Sequence, residues 1–137
     1  MKPTAKRAKR REHDPRQFIV VMSPDGIATV PGFRLESKAN ARDHWRSAAG
    51  KTARLVDLGQ RMGRLLRVLR PSPEGLTITF TRVGPRLLDS DNIASAFKAV
   101  RDGVATAYDV DDGPRGPITW VYEQIQGQYR IEARTLT

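Results

Sequence analysis

The stretch Leu76-Thr-Ile-Thr-Phe-Thr-Arg-Val83 alternates apolar and polar residues, and it does so between two segments of helical period. Alternation puts Leu76, Ile78 and Phe80 on one face and three threonines on the other, which is the pattern of a β-strand. Pro71 and Pro73 cut it off from what precedes it, and Gly84-Pro85 ends it. Upstream, Trp45, Ala48, Ala49, Leu55, Leu58, Met62, Leu65, Leu66 and Leu69 return to one face of a helix. That helix is expected from Ser37, with Ser37 or Asn40 as its cap. Gly50, Gly59 and Gly63 interrupt the pattern and predict a kink near Gly50. Downstream, Ile93, Ala96, Phe97, Val100, Val104 and Ala107 form a second stripe, so a helix is expected over Asp89–Tyr108, capped by Asp89 or Asp91.

Short β-rich runs lie at both ends of this α-β-α centre. Phe18–Met22 and Ile27–Phe33 flank Ser23-Pro24-Asp25-Gly26, a turn in which Pro presets φ and Gly accepts a positive φ, so a hairpin is expected. Ile118–Gln124 and Gln128–Thr135 flank Gln126-Gly127 and read as a terminal hairpin. The order is β-β-α-β-α-β-β. It predicts an α+β fold, a mixed β-sheet with the two main helices packed on one face. The chain of 137 residues suits one domain, expected over 17–137. Residues 1–16 carry no apolar periodicity and read as a disordered basic arm.

Charge narrows the function. Lys and Arg number 24 against 15 acids, a net charge of +9. A polyanion is the expected partner, nucleic acid before an anionic membrane. Residues 1–16 hold seven basic and two acidic residues, and residues 34–70 hold ten and three. Residues 71–137 reverse the balance, with seven basic and nine acidic, six of the acids falling between Asp89 and Asp112. Arg42, Arg46, Lys51, Arg54 and Arg61 fall mostly off the apolar stripe of the first helix and are the expected DNA-phosphate contacts. The sequence has no cysteine, which excludes a disulfide scaffold, a cysteine nucleophile and a thiolate zinc site. It has no apolar run long enough for a membrane span and no secretory h-region, so a cytoplasmic setting is expected.

The acids carry the chemical signal. Asp89-x-Asp91-Asn92 stands at a strand-to-helix junction, and Asp111-Asp112 follows one helix later. If the strands on either side of that helix are neighbours, the two pairs can converge. Mg²⁺ binds one or two carboxylates and keeps several waters, and such ions activate water for phosphodiester hydrolysis. The same residues also have purely local uses, because Asp caps helices and Asp-Asp-Gly makes turns.

Leu88-Asp-Ser-Asp-Asn-Ile93, then Lys98-Ala-Val-Arg-Asp102, then Val110-Asp-Asp112 together resemble the RusA family of Holliday-junction endonucleases. Glu36-Ser-Lys-Ala-Asn40 is similar to a further segment of that family, and the likeness spans roughly residues 27–135. The resemblance implies a small homodimer that binds four-way DNA junctions and makes paired nicks with Mg²⁺, for which Mn²⁺ substitutes. It implies Asp89, Asp91 and Asp112 as the catalytic metal ligands, with Asp111 assisting. The family lysine stands four residues after the second Asp, where this chain has Ser95. Lys98 either reaches the same space from the next turn of that face or marks a three-residue insertion.

Other chemistries find little footing. His13 and His44 make no zinc pattern, and no phosphate-binding P-loop motif exists, so no nucleotide cofactor is expected. Trp45, Trp120 and Tyr122 read as core residues, the last two also as candidates for a dimer interface. Two alternatives remain open: a non-catalytic basic DNA-binding protein, and a flap or RNA nuclease using the same metal site.

Overall fold

The computed structural model describes residues 17–36 and 45–136, without the side chains of 45–49 and of Lys51. The basic arm, the expected caps Ser37 and Asn40, and Arg42 therefore lie outside the described residues. The elements run β1 (Val21–Met22), β2 (Ile27–Pro31), α1 (Trp45–Leu69), β3 (Thr77–Gly84), α2 (Ser90–Tyr108), β4 (Thr119–Gln126) and β5 (Arg130–Leu136). The fold is α+β, with two helices on a five-stranded mixed sheet in the expected element order.

The first hairpin forms as its turn chemistry demands. Ser23 O accepts from the Gly26 N–H at 3.0 Å, and Gly26 has φ of +83°. The expected terminal hairpin does not form. The sheet order is β1-β2-β5-β3-β4, so β4 pairs parallel with β3 on one side and β5 pairs antiparallel with β3 on the other. The Gln126-Gly127 connection crosses the end of β3, where the Gly127 N–H donates to Gly84 O at 3.0 Å. The physical reason lies in β3, whose residues from Ile78 to Gly84 are all buried. Such a strand belongs at the centre of a sheet with a partner on each side.

The helices share one face of the sheet. Register places Ala28, Val30, Ile78, Phe80, Trp120, Tyr122, Ile131 and Ala133 on that face. Leu58, Met62 and Leu66 of α1 and Ile93, Phe97, Val100 and Val104 of α2 close over them. Phe80 stacks between Phe97 at 5.0 Å and Trp120 at 5.8 Å between ring centroids. Among the described residues the opposite face carries no helix. There Thr81 donates to Glu123 Oε1 at 2.6 Å, and Arg134 Nη2 donates to the same oxygen at 2.9 Å. Long polar side chains from the flanking strands thus roof the threonines of β3, and Thr79 and Thr81 are buried.

Gly59 and Gly63 of α1 mark close packing, and the helix runs unbroken through Gly50. A Cβ on Gly59 would lie 2.1 Å from Val100 O, and one on Gly103 would lie 2.1 Å from Val56 O. The two helices therefore meet backbone to backbone.

Candidate active site

The loop from Gly84 to Asp89 leads into the first acid pair, and two side chains of the sheet hold it. Gln124 of β4 clamps one residue at both ends: the Leu88 N–H donates to Gln124 Oε1 and Gln124 Nε2 donates to Leu88 O, each at 2.8 Å. Arg82 of β3, directly opposite Gln124 in the register, donates from Nη1 to Arg86 O at 2.8 Å. Asp89 follows as the N-cap of α2, its own carbonyl accepting from Asn92 at 2.9 Å. Its carboxylate makes no capping bond, so it is not spent on the helix. Asp91 stands exposed in the first turn, where the helix dipole favours a negative charge.

From Asp91 one face of α2 continues through Ser95 and Lys98 to Asp102, a polar line at helical spacing about 16 Å long. The second acid pair returns beside this line. Asp109, with φ 59° and ψ 43°, ends α2 in the left-handed region. Its N–H bonds to Thr106 O and the Val110 N–H bonds to Ala105 O, the two bonds of a Schellman cap. The loop then doubles back along the helix. Asp112 receives Arg101 Nε at 3.2 Å and lies 3.9 Å from Lys98 Nζ, and Lys98 Nζ is also 3.4 Å from Asp102 Oδ1. Arg101 in turn donates from Nη1 to the Tyr122 hydroxyl at 2.9 Å, which ties the group to the sheet.

Asp102 and Asp112 both face the Lys98 ammonium. Burial raises the Asp102 pKa above the usual carboxylate range, and the neighbouring Asp112 adds to the effect against the pull of Lys98. Hydrogen bonding with Asp102 lowers the Asp112 pKa, with Arg101 and Lys98 reinforcing it. One proton between two carboxylates is the usual relief for like charges at close range. Burial works against the Arg101 charge, but Tyr122 and Asp112 outweigh it and raise its pKa.

The sequence-derived site is therefore brought together in part. Lys98 and Asp112 meet. Asp89 and Asp91 sit at the start of the helix, and Asp111 is exposed beside Gly113. Among the described residues no three carboxylate or histidine side chains gather closely enough to hold a metal ion. The reason is spacing, because Lys98 stands two helical turns beyond Asp91 and the returning loop docks at Lys98. Asp102 and Arg101 join the group although neither was singled out as a functional residue. Asp102 had a legible signal, its i,i+4 spacing from Lys98. Arg101 had none, because its partner Tyr122 comes from a distant strand.

The donor set suits a divalent cation in its chemistry. Asp102 and Asp112 offer two adjacent hard oxygen ligands, as many as Mg²⁺ commonly takes from a protein.

The basic helix is partly committed to structure. Arg61 Nη1 donates to Phe18 O at 2.9 Å and its Nε lies 3.4 Å from Asp57. Arg67 Nη1 donates to Ala107 O at 2.9 Å, placing a cation at the C-terminus of α2. Arg54 is half-buried, while the side chains of Trp45, Arg46 and Lys51 are not among those described. Trp120 and Tyr122 face the helices as core residues. No helix of the described residues is long and apolar enough to cross a membrane. Comparisons with protein-family models, with curated proteins and with solved structures find no match to this chain.

Proposed function

We propose that this chain is a metal-dependent endonuclease of cytoplasmic DNA, similar to the RusA family, that cleaves four-way or other branched junctions by phosphodiester hydrolysis. The observation that carries the reading is the meeting of Lys98 with Asp112 and Asp102, a cation beside two carboxylates on an otherwise basic protein. Asp112 and Asp102 would hold Mg²⁺ or Mn²⁺, with Asp89 and Asp91 lying nearer the start of the same helix face. When bound, the ion supplies charge against the phosphate oxygens and acidifies a water. The chain's own part is to hold these groups. Arg101 and Tyr122 fix Asp112, Gln124 fixes the approach to Asp89, and Lys98 puts a positive charge where a leaving oxygen develops its negative one.

A homodimer belongs to the same proposal, because paired nicks need two sites related by a two-fold axis. The face of the sheet on which no helix packs among the described residues supports it. Val21, Val121, Ile125 and Leu136 are exposed there beside Arg130, Arg134, Glu123 and Glu132. That face is balanced in charge, so two copies of a +9 chain can approach through it.

The test is nicking of labelled four-way, flap, duplex and single-stranded DNA in Mg²⁺, in Mn²⁺ and in EDTA, for the wild type, Asp112→Asn and Lys98→Ala. Metal-dependent cleavage of branched DNA that both substitutions abolish is the expected result. One observation favours a second reading, a non-catalytic DNA-binding protein: the four acids stand as two pairs and not as one cluster. Tight junction binding with no cleavage in either metal would establish that reading.

A further inference from the structure

Arg82 is the one charged residue that is buried among the described residues, at 5% exposure. Its guanidinium donates from Nε to Leu35 O at 2.9 Å and from Nη1 to Arg86 O at 2.8 Å. Both partners are neutral carbonyls. No carboxylate lies within ion-pair distance among the described residues, and Nη2 bonds to none of them. Burying a cation without a counter-charge is costly, and arginine cannot shed its proton to escape the cost. Burial presses its pKa down against the pull of the nearby Tyr129, and the Arg34 guanidinium presses the same way as burial. The two carbonyls fix the plane of the fork and leave its charge unspent.

The surroundings add to that charge. Arg34 lies over the Tyr129 ring at 5.3 Å, with an exposed pairing to Glu36 at 3.6 Å that holds it weakly. Arg86 is exposed and makes no ion pair among the described residues. At Gly84 a Cβ would come within 3.2 Å of both Nη1 and Nη2 and 3.3 Å of the Tyr129 ring, so the fork is packed closely against Gly84 and Tyr129 on that side. Arg86 and Asp89 ride on the same short loop, which Arg82 and Gln124 pin to the sheet.

We propose that Arg82, Arg86 and Arg34 form a phosphate-binding site at the end of β3, which receives a backbone phosphodiester of the DNA beside Asp89. The guanidinium fork matches two phosphate oxygens, and its pre-set orientation removes most of the ordering cost of binding. This deepens the DNA-processing reading and rests on it for the identity of the ligand. Free inorganic phosphate presents the same chemistry, so the two sources are separated by experiment.

Because Arg82 also ties Leu35 and Arg86 to β3, replacing it disturbs the fold, and the decisive variants are Arg34→Ala and Arg86→Ala. Binding of the full chain to an immobile four-way junction is measured in EDTA across a range of salt. Arg115→Ala, an exposed arginine elsewhere, serves as control. Each decisive variant is expected to weaken junction binding about tenfold, the worth of one charged hydrogen bond. Each is expected to make the log–log salt slope shallower by about 0.9, the signature of one lost phosphate contact. Melting temperatures stay at the wild-type value. Wild-type affinity and slope in the Arg34→Ala/Arg86→Ala double variant would overturn the proposal. Saturable binding of inorganic phosphate that the double variant loses, with junction binding unaltered, would overturn its assignment to nucleic acid. Failure of the nuclease reading looks different: no nicking in metal, with these binding differences intact.

Discussion

Substituting alanine for Gly59 tests the backbone contact between α1 and α2. A Cβ there would sit 2.1 Å from Val100 O, 2.9 Å from its carbonyl carbon and 3.0 Å from its Cα. A carbon–oxygen contact settles near 3.3 Å, so the helices must part by about 1 Å. The opposing atoms are backbone and cannot swing away. Overpacking of this kind costs about 1–3 kcal/mol. Parting the helices also loosens the contacts of Leu58, Met62, Val100 and Val104, which are fully buried. Against this stands the helix-propensity gain of alanine over glycine, about 1 kcal/mol. The net expectation is a loss of about 1–2 kcal/mol. Gly50, on the same helix, has nothing within 4 Å of where a Cβ would stand, so Gly50→Ala keeps the gain of about 1 kcal/mol. The two single alanines should then differ by roughly 2–3 kcal/mol, on the order of 10 °C in melting temperature. Gly103→Ala meets Val56 O at 2.1 Å across the same contact, and the double variant should cost less than the sum because one separation relieves both clashes. Thermal and urea denaturation read all four proteins. A Gly59→Ala protein that melts at or above the wild type would refute the close-approach argument.

Asp112→Asn should abolish metal-dependent nicking while leaving junction binding intact or tighter, since Asn keeps the size and removes the charge of one of the two carboxylates proposed to hold the cation; nicking and gel-shift assays on one junction decide it. Asp109→Gly should stabilise by about 0.5–1 kcal/mol, because Asp109 holds the left-handed conformation that glycine adopts without strain, and a denaturation midpoint at or below the wild type would count against it. Asp102→Asn should gain on the wild type as pH rises from 4 to 7. The folded Asp102 pKa is raised, so its stabilising contribution is complete at low pH and fades as pH climbs through the raised value, whereas the lowered Asp112 pKa makes that residue's contribution fade only as pH falls. A melting-temperature difference that stays flat with pH would contradict the raised Asp102 pKa. Gln124→Leu leaves the Leu88 N–H and C=O without partners and should cost about 1–3 kcal/mol by urea denaturation.

Element order was legible because each element carries its own period. Leu76–Val83 alternates, and Ile93 to Ala107 repeats near 3.6, so the strand and the second helix stand within a residue or two of their expected bounds. Partner choice was not legible in the same way. Gln126-Gly127 is good turn chemistry for a hairpin, yet the central place of β3 depends on burial of both its faces, which threonines conceal. They are buried by Glu123 and Arg134, long side chains whose aliphatic stems cover a neighbour while their heads stay polar. Gly59 and Gly63 read only as interruptions of the helical pattern because the contacts that call for glycine come from another helix. In the site, Lys98 and Asp112 were visible as types and spacings. Arg101 and Arg82 were not, because each is defined by a partner remote in sequence, Tyr122 for one and the Leu35 carbonyl for the other.

The place of β5 bears on how the chain acquires its shape during synthesis. β5 follows every other described strand in sequence, yet it fills the gap between β2 and β3, pairing Val30 with Ile131 across about a hundred residues. Until residues 130–136 leave the ribosome, the β1–β2 ribbon and the β3–β4 pair remain two unjoined pieces, each with a bare hydrogen-bonding edge. Long-range pairing of that kind slows folding, and bare edges invite association with other nascent chains. A stop or a bulky fusion placed within β5 would thus remove the keystone of the sheet and send the product to aggregates or proteolysis, although every acid of the candidate site would already have been made.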